Sequence, residues 1–195
     1  MIIRPFMDTD IEDAGLLAMQ LWEKELPHVS KEVKYLIYQY LVRYYYFPQS
    51  EYCFCAVEGT VLQGILLAYF CNDSENSADE WVNAHITNEN RSILENYRAY
   101  LMGNRVKEHS LAFDHEIILA LFATRRKGVG KLLIQALGEK CRKNNVHSML
   151  LWTDETCDLS YYRRNRFSQV ACMQTFPSLG NLSLTTCFFR KYFSQ

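Results

Sequence analysis

Apolar residues along this chain switch between the two-residue spacing of strands and the three- and four-residue spacing of helices, so its elements can be read off in order. Residues 2–6 predict a short strand. Thr9 and Glu12 then form a T-x-x-E capping signature for a helix carrying Ile11, Leu16, Leu17, Met19 and Leu21, which Pro27 ends. Ser30 stands where it can cap a second helix, in which Val33, Leu36, Ile37, Tyr40, Leu41 and Tyr44 recur at helical spacing. The tyrosines of that helix are large core-and-rim residues or the wall of a pocket. Tyr52–Val57 and Val61–Phe70 are β-rich runs on either side of Glu58-Gly59-Thr60, which predicts an antiparallel hairpin.

From Cys71 to Ser110 the pattern changes. Asn, Asp, Ser and Glu dominate first, then Ile86, Ile93, Leu94, Tyr97, Leu101 and Met102 predict one long amphipathic helix. Phe113–Phe122 reads as a strongly apolar strand, Gly128–Asn144 as a helix with Val129, Leu132, Leu133, Ala136, Leu137 and Cys141 on one face, and Ser148–Trp152 as a buried strand. Trp152 to Asp158 crosses to a short helix, Asp158–Arg164, with Asp154 or Asp158 as its cap. Ser168–Phe176 and Leu182–Phe193 close the chain as two strands around the turn-prone Pro177–Asn181.

The order β-α-α-β-β-(insert)-β-α-β-α-β-β predicts an α/β (α+β) fold with a mixed, twisted sheet of six or seven strands flanked by helices. About half of the 195 residues are hydrophobic, enough for one core, so one domain over 1–195 is expected, with 71–110 as a helical insertion. Lys and Arg number 21 against 22 Asp and Glu, a balance that gives no footprint for nucleic acid. No run approaches the roughly 18 apolar residues of a membrane span, and Met1–Phe6 gives way at once to acidic residues. Neither membrane insertion nor secretion is expected. Seven cysteines, scattered without a C-x-x-C pair, predict reduced thiols in a cytoplasm and no metal site.

Between the fourth strand and its helix stands Arg125-Arg126-Lys127-Gly128-Val129-Gly130, an R-x-x-G-x-G sequence followed by Lys131. Glycines there let successive amides point outward, and the helix dipole with four basic side chains suits a pyrophosphate. The P-loop pattern does not fit, and the dinucleotide fingerprint needs a third glycine where Leu133 stands.

This loop resembles motif A of the GNAT superfamily, in which such a segment holds the pyrophosphate of coenzyme A. The resemblance extends to the opening strand with its capped helix, to the hairpin Phe54–Gly59 and Gly64–Leu66, and to Tyr161-Tyr162-Arg163-Arg164-Asn165-Arg166-Phe167, similar to the superfamily's fY-x-x-x-G-F segment. About three quarters of the chain is covered. It implies a GNAT-type N-acetyltransferase with acetyl-CoA as co-substrate, a cofactor loop of Arg125, Arg126, Lys127, Gly128, Val129, Gly130 and Lys131, and Tyr162 as general acid. It also implies that main-chain groups of Leu119, Ala120 and Leu121 pair with pantetheine and polarise the thioester. Arg166 stands where the family has glycine, which puts the turn in doubt if that residue takes positive φ.

Removing a proton from the attacking amine calls for a carboxylate. Asp114 and Glu116 alternate onto one face of the predicted Phe113–Phe122 strand, with Glu116 the first choice of base and His115 on the other face. A solvated strand-edge role is the other reading of both. An acyl-cysteine at Cys157 lacks a His partner in its own element. The acceptor is a small-molecule amine or a peptide. Asp73, Glu75, Asp79, Glu80 and Glu89, with no Lys or Arg between Asp73 and Asn90, favour a cationic one. A homodimer is expected through the C-terminal strands, where Cys187–Phe193 offers an apolar patch. The rival functional classes are a non-catalytic acyl-CoA-binding sensor module, a protein-interaction domain and a structural domain that binds no cofactor.

Overall fold

The structure is a computed structural model that describes residues 1–22, 24, 26–73, 75–175 and 184–193. Seven strands form one sheet: β1 (Ile2–Pro5), β2 (Phe54–Glu58), β3 (Val61–Tyr69), β4 (Ile117–Thr124), β5 (Ser148–Asp154), β6 (Ser168–Thr175) and β7 (Leu184–Tyr192). Their order is β1-β2-β3-β4-β5-β7-β6, with β4 and β5 parallel and the other neighbours antiparallel. Among the described residues six α-helices accompany them: α1 (Ile11–Trp22), α2 (Lys31–Tyr45), α3 (Ala78–His85), α4 (Arg91–Leu111), α5 (Val129–Lys143) and α6 (Leu159–Arg164). The predicted turn at Pro177–Asn181 lies outside the described residues.

Helices α1 to α4 share a core with one face of the sheet, centred on Leu17, Ile37, Tyr40, Tyr45 and Phe47, while α5 buries Leu133, Leu137 and Cys141 against the other face. The capping signature of α1 is displaced by one residue. A 3-10 turn over Asp8–Asp10 precedes the helix, and Asp10, not Thr9, accepts the Met7 amide at 2.9 Å and both Arg4 guanidinium nitrogens at 2.7 Å. Ser30 caps α2 as its position predicts, accepting the Val33 amide.

The insertion holds two helices instead of one. Asn90 divides them: its side chain accepts the Thr87 amide at 2.7 Å and donates to the His85 carbonyl, local bonds that compete with the helical ladder. Strand β4 likewise starts four residues later than its apolar run implies. Phe113 to Glu116 folds into a turn closed by the Glu116 amide on the Phe113 carbonyl, with His115 at φ 61°.

Two expectations at the C-terminal end are corrected. Strand β7 lies between β5 and β6, so Phe188 and Phe189 are fully buried core residues and supply no apolar patch for a partner. Its register sets Cys187 opposite Cys172, and the two form a disulfide, so not all seven cysteines are free thiols.

Helix α4 carries a buried polar group that makes stability depend on pH. Glu108 is fully buried, with the Tyr69 hydroxyl donating to it at 3.3 Å, and both amide atoms of the neighbouring buried Asn104 lack a partner. Burial pushes the Glu108 carboxyl well above its ordinary value, against the hydrogen bond from Tyr69 and the charge of Arg105. The folded chain therefore keeps a proton that the unfolded chain has lost above about pH 4.5, and stability falls as pH rises from there. Glu108→Gln removes this loss. Its melting temperature is expected to match the wild type near pH 4 and to exceed it by several degrees, roughly, at pH 8 in calorimetry.

Candidate active site

Strand β4 delivers the glycine loop to the start of α5. Gly128 takes φ 91°, the left-handed conformation that turns the chain into the helix, and a Cβ on Gly130 would lie 2.8 Å from Phe122 Cζ. A cavity of about 740 Å³ opens beside this turn, bounded by Arg125, Lys127, Gly128, Gly130, Lys131 and, from β7, Lys191. Arg126 also borders it but gives two hydrogen bonds to Glu58, at 2.7 and 3.0 Å. Val129 departs from the expected loop: its side chain is buried in the core and its amide donates to the Arg126 carbonyl. The amides of Gly130 and Lys131 begin a helix and have no carbonyl four residues back inside it.

The sheet splits beside this loop. Strands β4 and β5 pair at only two positions, Ile117 with Met149 and Ile118 with Leu150, after which the β5-facing edge of β4 has no ladder partner. On the other edge, β3 skips from Leu121 to Leu119, leaving Ala120 as a bulge. The bulge turns Ala120 and Leu121 both toward the α1–α4 side. A second cavity of about 620 Å³ fills the split and meets the first at Phe122. Leu119, Ala120 and Leu121 line it from β4, and Thr153 and Asp154 from β5. Its aromatic walls are Trp22, Tyr38, Tyr45, Tyr97, Tyr100 and Trp152.

Tyr162 borders this second cavity from α6. Asp158 caps that helix, accepting the amides of Ser160 and Tyr161. The helix ends in a Schellman turn: the Phe167 amide donates to the Tyr162 carbonyl at 3.0 Å and the Arg166 amide to that of Arg163 at 3.2 Å. Phe167 and Phe189 hold the Tyr162 ring edge-on and stacked, with centroids 5.5 and 5.3 Å away. Burial pushes the Tyr162 phenol above its ordinary value, Cys157 adds to the rise and a Thr153 hydrogen bond opposes it, so the hydroxyl stays protonated at neutral pH.

Arg166 occupies the left-handed position of that turn at φ 63°, the conformation that glycine adopts without steric cost. Arg166→Gly is therefore expected to raise stability by about 1 kcal/mol, read as a rise of roughly 2–4 °C in melting temperature.

No family model matches this sequence, and no curated protein does. Solved structures do. A putative acetyltransferase of the GNAT family from Desulfovibrio desulfuricans superposes with a TM-score of 0.57 at 12% identity, covering 99% of both chains. The ribosomal-protein-S18-alanine N-acetyltransferase of Escherichia coli gives 0.55 at 11%, covering 100% of this chain and 94% of the other. A polyamine N-acetyltransferase of Drosophila melanogaster gives 0.53 at 13%, covering 98% and 99%. The chain has the GNAT N-acetyltransferase fold.

Within this GNAT fold the two predicted carboxylates are not at the cavity. Asp114 is exposed in the turn before β4, because the strand on whose face it was expected begins only at Ile117. Glu116 is buried in an ion pair with Arg190, at 2.7 Å to Nε and 2.9 Å to an Nη, and also accepts the Phe113 amide. Neither lines either cavity, and neither do Asp73, Glu75, Asp79, Glu80 or Glu89 of the acidic insertion. Asp79 pairs instead with Arg98, and Asp73 accepts the Phe70 amide. What sequence reading missed is Lys191 in the loop cavity and Asp154 beside Tyr162. Sequence reading gives Asp154 the roles of helix cap or cofactor contact, and not a place beside Tyr162 at the end of β5. Among the described residues, no group of His, Cys, Asp and Glu side chains converges in a way that could hold a metal ion.

Proposed function

We propose that this protein is an acetyl-CoA-dependent N-acetyltransferase that passes the acetyl group directly to an amine within a ternary complex. One observation carries the reading: a basic cavity at a glycine turn and an apolar cavity along the unpaired edge of β4 lie on either side of a shared wall residue, Phe122, with Tyr162 bordering the latter. Arg125, Lys127, Lys131 and Lys191 would neutralise a diphosphate there, with the Gly130 and Lys131 amides as donors. The free edge of β4 would receive the amide-bearing pantetheine arm as an added strand, leaving a Leu119–Leu121 amide to polarise the thioester carbonyl.

Chemistry then requires a neutral amine and a proton for the departing thiolate. Tyr162, kept protonated by burial, supplies that proton. Aligning two bound reactants accounts for much of the acceleration, since an amine held against the thioester has already lost the entropy of encounter.

Calorimetric titration with acetyl-CoA tests the reading. Micromolar binding is expected, weakened about tenfold in Arg125→Ala, because one charge-assisted contact to a diphosphate contributes roughly 1.5–3 kcal/mol. No binding to the wild-type chain overturns it.

A further inference from the structure

Resting on that reading, we propose that the acceptor is a monoamine carried on an apolar, aromatic body, and that Asp154 is the carboxylate that receives its ammonium. Three observations lead there. The 620 Å³ cavity, which the pantetheine arm would share along the β4 edge, falls within the roughly 300–1,000 Å³ of small-ligand sites. Its walls are dominated by rings and by leucines such as Leu41, Leu101 and Leu151. Among the described residues that line it, Asp154 is the one carboxylate and Lys24 the one ammonium.

Asp154 gives a single positive charge a partner at this wall, while the acidic residues of the insertion stand away from the cavity. A peptide suits it less, because most of the wall that its backbone amides would meet is made of rings and leucines. A single positive charge suits Asp154. An aromatic body suits the rings: Trp22 stacks with Tyr38 at 6.2 Å, and Tyr100 meets Trp152 edge-on at 5.7 Å, surfaces on which a further ring can pack.

Asp154 is held for the task. Tyr100 donates its hydroxyl to one carboxylate oxygen at 3.0 Å and the Thr156 amide donates to the other at 3.0 Å. Asp154 and Tyr162 border the same cavity, so base and acid are both within its walls. Asp154 takes one proton from the ammonium, and the neutral nitrogen attacks the thioester carbon. The C–N bond forms and the C–S bond breaks. Sulfur takes a proton from Tyr162, the second nitrogen proton returns to Tyr162 through solvent, and Asp154 releases its proton to water. One proton is freed for each acetyl group moved.

The test is a thiol-release assay on the full chain with acetyl-CoA and three acceptors: 2-phenylethylamine, spermidine and an alanine-initiated hexapeptide. The expected kcat/KM for 2-phenylethylamine is at least about tenfold above the other two, a margin that one well-placed apolar group supplies. Asp154→Asn is expected to lower kcat/KM about 100-fold while calorimetry finds its acetyl-CoA Kd unchanged. Preference for spermidine or the peptide, or wild-type kcat/KM in Asp154→Asn, overturns the proposal and leaves the transferase reading standing. Faster transfer from hexanoyl-CoA than from acetyl-CoA overturns it too, by assigning the apolar volume to the acyl chain. Failure of the wild-type chain to bind acetyl-CoA removes the transferase reading itself. Should Asp154→Asn not fold, the ranking of the three acceptors on wild-type protein decides.

Discussion

Tyr162→Phe is expected to bind acetyl-CoA with wild-type affinity and to release thiol at least about 100-fold more slowly, the lower end of what a positioned general acid contributes. The substitution removes one oxygen and leaves the ring, which Phe167 and Phe189 hold by edge-on and stacked contacts that phenylalanine reproduces. A stability change is therefore small, and the loss falls on kcat and not on acetyl-CoA binding. Single-turnover rates against calorimetric Kd measure the two separately. Unchanged turnover would mean that the thiolate finds its proton elsewhere, and the non-catalytic acyl-CoA sensor predicts no turnover in either protein.

Much of this arrangement was legible in the chain because it is local. The glycine turn is written in six consecutive residues: Gly128 must adopt a left-handed φ and Gly130 must lie against Phe122, and both demands fall within one loop and its flanking strand. Positive φ at Arg166 was signalled through the resemblance, in which glycine stands there, and the turn that ends α6 has it, closed by the Phe167 amide on the Tyr162 carbonyl. Element order survived for the same reason, with hydrophobic period setting each strand and helix in turn.

What the chain concealed depends on register between distant strands. The split that forms the apolar cavity exists because β4 and β5 stop pairing after Ile118 and Leu150, and its walls come from α1, α2, α4, β4, β5, α6 and β7. No spacing along one segment reports such a convergence. Tyr38 belongs to the helix whose tyrosines read as core or as a pocket wall, while Trp22, Tyr97, Tyr100 and Trp152 carry no such signal in sequence, and the fold makes the five one surface. The Cys172–Cys187 bond likewise follows from the pairing of β6 with β7, and the break between α3 and α4 from a single asparagine side chain.

Glu116 is the sharpest case, because a carboxylate near a catalytic strand has two opposite meanings and one measurement separates them. Its side chain is fully buried and bonded to Arg190, 74 residues away, whose guanidinium also lies 3.7 Å over the Phe113 ring and donates to the Leu111 carbonyl. The pair thus ties the end of α4 and the start of β4 to β7. Glu116→Ala leaves the Arg190 charge buried without its counter-ion, and removing one member of such a pair costs about 3–5 kcal/mol. For a chain of this length that is a fall of roughly 6–20 °C in melting temperature. Replacing both partners, as Glu116→Leu with Arg190→Met, is expected to recover most of that loss, since two apolar side chains leave no charge unpaired. The same double variant is expected to keep its acetyl-CoA affinity and its kcat within about threefold of wild type, as general-base loss would instead lower kcat about 100-fold or more. A stable double variant without turnover would return Glu116 to the chemistry; a stable and active one makes it the clamp that holds β4 in the position from which its free edge serves the cofactor.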